Sequence, residues 1–125
     1  MSLLTLSDLE RLHLNGRAQR TFEEAGHPFR LDFPPVVKLI SAGEWRAWSL
    51  ASIDMDDPDL AYGLFDGDDG LPHVGHVRLS DLEAHRDPSG HPLHRVSSFE
   101  PQMTLFEYAA HYAQHRGNTV LSPRF

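Results

Sequence analysis

Nine histidines in a chain without cysteine make metal ligation the first chemistry to weigh, because imidazole and carboxylate groups can hold a divalent ion without sulfur. His111 and His115 stand four apart in a segment of helical periodicity, a spacing that brings both rings to one face. A third ligand is missing there, and Tyr112 occupies the place where a metalloprotease helix carries its glutamate, so a solvent-facing pair is expected. His73 with His76 and His91 with His94 are spaced by three, each pair beside proline or glycine. A loop could fold either pair toward one point and recruit Asp66, Asp68 or Asp69, whereas a regular strand sends the two rings to opposite faces. These residues define the alternative reading, a small metal-dependent, hydrolase-like enzyme. The expectation set against it is no metal centre, no cofactor and no catalytic residue.

Other catalytic patterns are weaker still. The run Asp66-Gly67-Asp68-Asp69-Gly70 lacks the third alternating acid and the terminal bidentate acid of a calcium loop, and turn formation explains it, since aspartate and glycine both suit tight connections. No serine sits in a Gly-x-Ser-x-Gly elbow, and there is no phosphate-binding or dinucleotide glycine motif. Trp45 and Trp48 are assigned to the core rather than to a base-stacking platform, given the acids nearby.

Charge placement is more informative. The formal net charge is −7, and no lysine or arginine lies between Arg46 and Arg78, where Asp54, Asp56, Asp57, Asp59, Asp66, Asp68 and Asp69 all fall. Outside that stretch acids and bases balance, so the whole net charge is local. This polarity opposes direct binding of nucleic acid, which needs cations against phosphate. Its bland reading is a solvated surface. Its functional reading is a partner-binding face of seven aspartates that occupies the basic surface of a host protein, such as the nucleic-acid groove of a defence protein.

The elements that must position these groups read as one domain over residues 1–125, a size at which folding buries about two-thirds of the unfolded chain's surface. The absence of cysteine suits a reducing compartment, no apolar run approaches the roughly 20 residues of a membrane span, and Met1–Glu10 does not read as a signal peptide; a cytoplasmic, membrane-free protein is expected. Three helices are marked by a hydroxyl cap followed three residues later by glutamate: Ser7 with Glu10, Ser80 with Glu83, Thr104 with Glu107. The first carries Leu9, Leu12 and Leu14 and is weakened by Gly16; the third carries Leu105, Tyr108 and Tyr112 and meets Gly117 as its stop. Strand-like runs cover Val36–Ile40, Trp45–Ile53, Leu60–Phe65, Val74–Leu79 and His94–Phe99. This order predicts an α+β fold, a mostly antiparallel sheet of four or five strands with helices packed on one face.

The chain resembles the family known as domain of unknown function 2958, small proteins of conjugative plasmids and other bacterial mobile elements. The resemblance rests on Leu3-Leu4-Thr5, Asn15-Gly16, Pro35-Val36-Val37-Lys38-Leu39, Trp48-Ser49-Leu50, the run from Asp57 to Leu64, the run from Gly75 to Glu83, and Phe99-Glu100-Pro101. The chain departs from the pattern at Val74, where a glutamate is usual, and at His94-Arg95-Val96, where an acidic Glu-Arg-Asp run is usual. The resemblance implies an accessory role on mobile DNA, often beside antirestriction genes, and brings no catalytic residues with it. Joined to the charge pattern, it gives the expectation of a non-enzymatic binding protein with an anti-defence role, antirestriction or anti-CRISPR-like.

Overall fold

The computed structural model describes residues 3–67 and 71–121. Its elements are α1 (Leu6–Glu24), β1 (Val37–Ser41), β2 (Arg46–Ile53), β3 (Leu60–Gly67), β4 (His73–Arg78), α2 (Leu79–Ala84), β5 (His94–Arg95) and α3 (Leu105–Leu121). The five strands form one sheet in the order β4-β3-β2-β1-β5, and every neighbouring pair is antiparallel. The expected α+β fold is present. β5 is only two residues long, not the full segment from His94 to Phe99.

Helices cover both faces of the sheet. Neighbouring residues of one strand point to opposite sides, and they sort into two clusters. Val37, Leu39, Trp48, Leu50, Ile53, Ala61 and Phe65 pack with Leu12 of α1 and Leu82 of α2. Ala51, Tyr62, Leu64 and Val74 pack with Leu105, Tyr108 and Tyr112 of α3 and with Phe33. The arrangement on one face thus holds for α1 and α2, while α3 lies across the sheet. The reason is visible in β3, whose Tyr62 and Leu64 face one way and Ala61 and Phe65 the other; a strand apolar on both sides needs cover on both.

The start of α1 also differs from expectation. Thr5, not Ser7, is the N-cap, and its partner is Asp8: the Thr5 hydroxyl accepts from the Asp8 amide at 3.0 Å and the Asp8 carboxylate accepts from the Thr5 amide at 3.0 Å. Asp8 is buried and has a second task, a two-pronged ion pair with Arg95 of β5 at 2.6 and 2.8 Å. Ser80 likewise receives no help from Glu83: the N-cap of α2 is Arg78, one residue before Leu79, and its side chain makes no capping bond. For α3 the expected box forms, with the Thr104 amide donating to Glu107 at 2.8 Å and the Glu107 amide to the Thr104 hydroxyl at 3.3 Å. That helix continues past Gly117 to Leu121, since a lone interior glycine costs only about 1 kcal/mol.

The face that α1 turns to the sheet is Asp8, Leu12, Gly16 and Gln19. Leu14 is exposed. Gly16 sits on the Ile53 carbonyl so closely that an added Cβ would lie 1.8 Å from that oxygen. Next to it the Asn15 amide donates to the Ala51 carbonyl at 2.8 Å, where a bulge between Leu50 and Ser52 interrupts the ladder between β2 and β3. One turn on, Gln19 donates to the Phe29 carbonyl at 3.2 Å and accepts from the Leu31 amide at 2.7 Å, tying down the segment that leads to β1. Trp48 is buried as expected; Trp45 is 82% exposed, because it belongs to the turn between β1 and β2 and escapes the strand alternation.

Two predictions follow the packing of α1. Gly16→Ala, which would gain about 1 kcal/mol in an exposed helix, should instead destabilise the protein by roughly 3 kcal/mol or more, since backbone blocks the methyl; equilibrium urea unfolding measures this. Burial pushes the Asp8 carboxyl upward, but hydrogen bonds from Arg95 and Thr5 outweigh it and hold the group below its ordinary 3.8. A carboxyl lowered in the folded state contributes stability above its unfolded value and loses it as pH falls through the folded one. Asp8→Asn should therefore cost about 2 kcal/mol at pH 7 and flatten the decline of stability below pH 4.

Candidate functional site

The seven aspartates do not form one face. Asp54, Asp56, Asp57 and Asp59 lie in the turn between β2 and β3, at one end of the sheet, and Asp66 lies near the far end of β3. Strand rise over those residues separates the two groups by about 20 Å. Asp68 and Asp69 lie outside the described residues.

At the first end, the carboxylates shape the turn before they face any partner. Asp54 accepts from the amides of Asp56 and Asp57 at 2.8 and 3.0 Å, and Asp57 accepts from the Asp59 amide at 3.2 Å. Asp59 accepts from the Ser80 amide at 2.9 Å and its hydroxyl at 2.7 Å. It thereby replaces the missing cap of α2, whose first-turn amides need an acceptor. Arg78 bonds Asp57 at 3.0 Å and stands 3.6 Å from Asp59. The Ser80 hydroxyl, with Arg78 behind it, holds the Asp59 carboxyl below its usual range, and the Arg20 guanidinium does the same for Asp56.

The Arg20 contact joins a part of the chain that sequence spacing does not connect to the aspartates. Arg20 lies on the last turns of α1, bonded to Asp56 and within reach of Glu23 at 4.0 Å; the charge of Glu24 also raises its affinity for protons. The final turn of α1 contains no basic residue, so its carbonyl end adds negative potential there. Glu23 and Glu24 thus extend the acidic end. The separation of more than 30 residues hid this, and only the acid-rich last turn, against the usual preference for bases, signals it.

At the other end, Asp66 stands opposite Ala47 of β2. It shares an open groove of about 640 Å³ with Lys38, Ile40, Trp45, Arg46 and Tyr112. Burial, with the charges of Tyr108 and Asp66, pushes the Tyr112 hydroxyl upward.

The histidine pairs are dispersed. His73 stacks on Phe65 with ring centres 6.5 Å apart, while His76 meets Tyr62 on the opposite face. His91 lies 3.5 Å from Asp87, which is itself occupied by the amides of Ser89 and His91. His94 is on β5 opposite Ile40, and the side chain of His115 lies outside the described portion. Among the described residues no group of three or more histidine, aspartate or glutamate side chains is placed to hold a metal ion. His85 bonds Glu44 at 2.9 Å, a contact the spacing does not announce, and the Ser41 hydroxyl and His85 hold that carboxyl below its usual range. Among the same residues no helix is long and apolar enough to cross a membrane.

An antiparallel five-stranded sheet clasped between α1 and α2 on one side and α3 on the other, with a carboxylate-rich end, defines a small α+β domain. The chain belongs to the family described as protein of unknown function (DUF2958), which it matches over residues 3–120. No curated protein and no solved structure matches it significantly.

The division of labour among the aspartates predicts unequal consequences. Asp59→Ala removes the acceptor at the start of α2 and should lower the melting temperature by several degrees, whereas Asp56→Ala, which loses only an exposed ion pair, should leave it nearly unchanged. Thermal unfolding by circular dichroism compares the two.

Proposed function

We propose that this chain is a non-enzymatic binding protein of a bacterial mobile element, with an anti-defence role, antirestriction or anti-CRISPR-like, exercised by occluding a basic surface of a host nucleic-acid-binding protein. The observation that carries the reading is the junction of two acidic segments at Arg20 and Asp56. It gathers Glu23, Glu24, Asp54, Asp56, Asp57 and Asp59 around Arg20 and Arg78 at one end of the sheet. Six carboxylates against the guanidinium groups of Arg20, Arg78 and Arg30, the last lining a pocket with Glu23 and Asp54, leave this end negative, and the carbonyl end of α1 reinforces it. A face of this kind speeds encounter with a cationic partner and repels nucleic acid itself. The occluded surface is then one that ordinarily meets phosphate. Of the seven aspartates, those of the turn between β2 and β3 carry the contact, and Asp66 is assigned to a second contact at the far end of β3.

The test uses the full chain as bait in a bacterial host lysate, followed by association rates with the captured protein at two salt concentrations. Glu24→Gln with Asp56→Asn is the informative variant, since neither residue holds the turn or caps a helix. It should associate several-fold more slowly at low salt, and the difference from the unaltered chain should shrink as salt screens exposed charges. Rates insensitive to both salt and substitution would overturn the reading.

A further inference from the structure

β4 is an edge strand, bonded to β3 along six registered pairs from Leu60↔Arg78 to Phe65↔His73 and, among the described residues, to no strand on its other side. Among the described residues, its backbone makes no hydrogen bond outside that ladder. An exposed edge is often blunted by proline, charged side chains or a bulge. From His73 to Val77 there is no proline, lysine, arginine or acid, and the register with β3 is unbroken.

In the middle of this strand Gly75 faces open space: a Cβ built on it meets no atom within 4 Å. Beside it a slot of about 160 Å³ opens, walled by Trp48, Leu50, Phe65, His73 and Val77 over the pair Gly63 and Gly75. A strand added to β4 would place one residue opposite Gly75 on this same face, with its Cβ some 5 Å away and nothing on the glycine to resist it. A cavity near 150 Å³ is enough for a benzene ring, so the slot suits a phenyl or a large aliphatic side chain.

We propose that β4 receives an extended segment of a partner protein as a sixth strand, which seats an aromatic or large aliphatic side chain over Gly75. Main-chain hydrogen bonds hold such a segment, and the pocket selects its side chain. A second copy of this chain fits poorly. Antiparallel pairing that keeps the faces aligned puts His73, Gly75 or Val77 opposite Gly75: a polar ring, nothing, or a small side chain. The flank of the segment is set by what lies beyond Arg78, where Asp57 and Asp59 already neutralise that guanidinium and Asp56 and Glu24 stand exposed. Continuity with this acidic end calls for lysine or arginine on the flank, and this part of the inference rests on the function proposed above.

Blocked ten-residue peptides of alternating threonine and valine serve as probes. Each carries phenylalanine, leucine or glycine at the centre, and each is made with three lysines at one end, at the other, or at neither. Amide spectra and hydrogen exchange of the full-length protein report where they bind. The phenylalanine or leucine peptides should protect outward amides of β4 and shift Trp48 and Phe65, and the glycine peptides should bind about tenfold or more weakly, as the loss of a buried ring requires. Gly75→Val fills the slot without obstructing β4 and should weaken the phenylalanine peptide comparably, its own folding being checked by the unchanged spectrum of α1. No binding by any peptide, shifts away from β4, or a dimer that forms through β4 would each overturn the proposal. Binding at β4 that ignores the lysines would keep the edge and reject the acidic flank; lysine-dependent shifts confined to Asp56 and Glu24 would do the reverse.

Discussion

The seating of α1 on the bulge of β2 is the contact on which the rest depends. A bulge leaves a carbonyl without its ladder partner inside a buried sheet, where an unmet acceptor costs about 1–3 kcal/mol. Asn15 meets that of Ala51, and Gly16, by having no side chain, lets the helix come close enough for it to do so. The same close approach brings Leu12 fully into the core and carries Gln19 to the backbone at Phe29 and Leu31. The path of the chain into β1 therefore follows from the distance between one helix and one strand.

This arrangement explains which parts of the fold can be read from the sequence. Strand alternation marks four strands, because apolar burial alone places them. The face of α1 is opaque to the same method. Three of its four buried residues are aspartate, glycine and glutamine, and each is buried because of a specific distant partner: Arg95, the Ile53 carbonyl, and the backbone around Phe29 and Leu31. Thr104 with Glu107 is legible as a cap since both members are local. Ser80 is not, because its acceptor comes from Asp59, 21 residues upstream.

The acidic stretch shows the same limit. Its composition is plain in the sequence, but the eight residues of β3 carry Asp66 to the other end of the sheet from Asp54–Asp59, and long-range contact brings Glu23 and Glu24 to the latter. Adjacent positions along the chain became distant in space, and distant ones became neighbours. Histidine spacing fails for a related reason: the strand that holds His73 and His76 turns them to opposite faces.

The ion pair of Asp8 with Arg95 spans 87 positions of the chain. Closing so wide a loop is entropically unfavourable until the intervening sheet has drawn its ends together. The two residues of β5 join β1 by a pair of registered positions, and that pairing is what sets Arg95 beside Asp8. The opening turn of α1 is thereby secured from the β5 edge of the sheet. α1 precedes the whole sheet in the chain yet draws on a residue 87 positions downstream, and a nascent polypeptide halted before Arg95 lacks the partner that fixes the first turn of this helix.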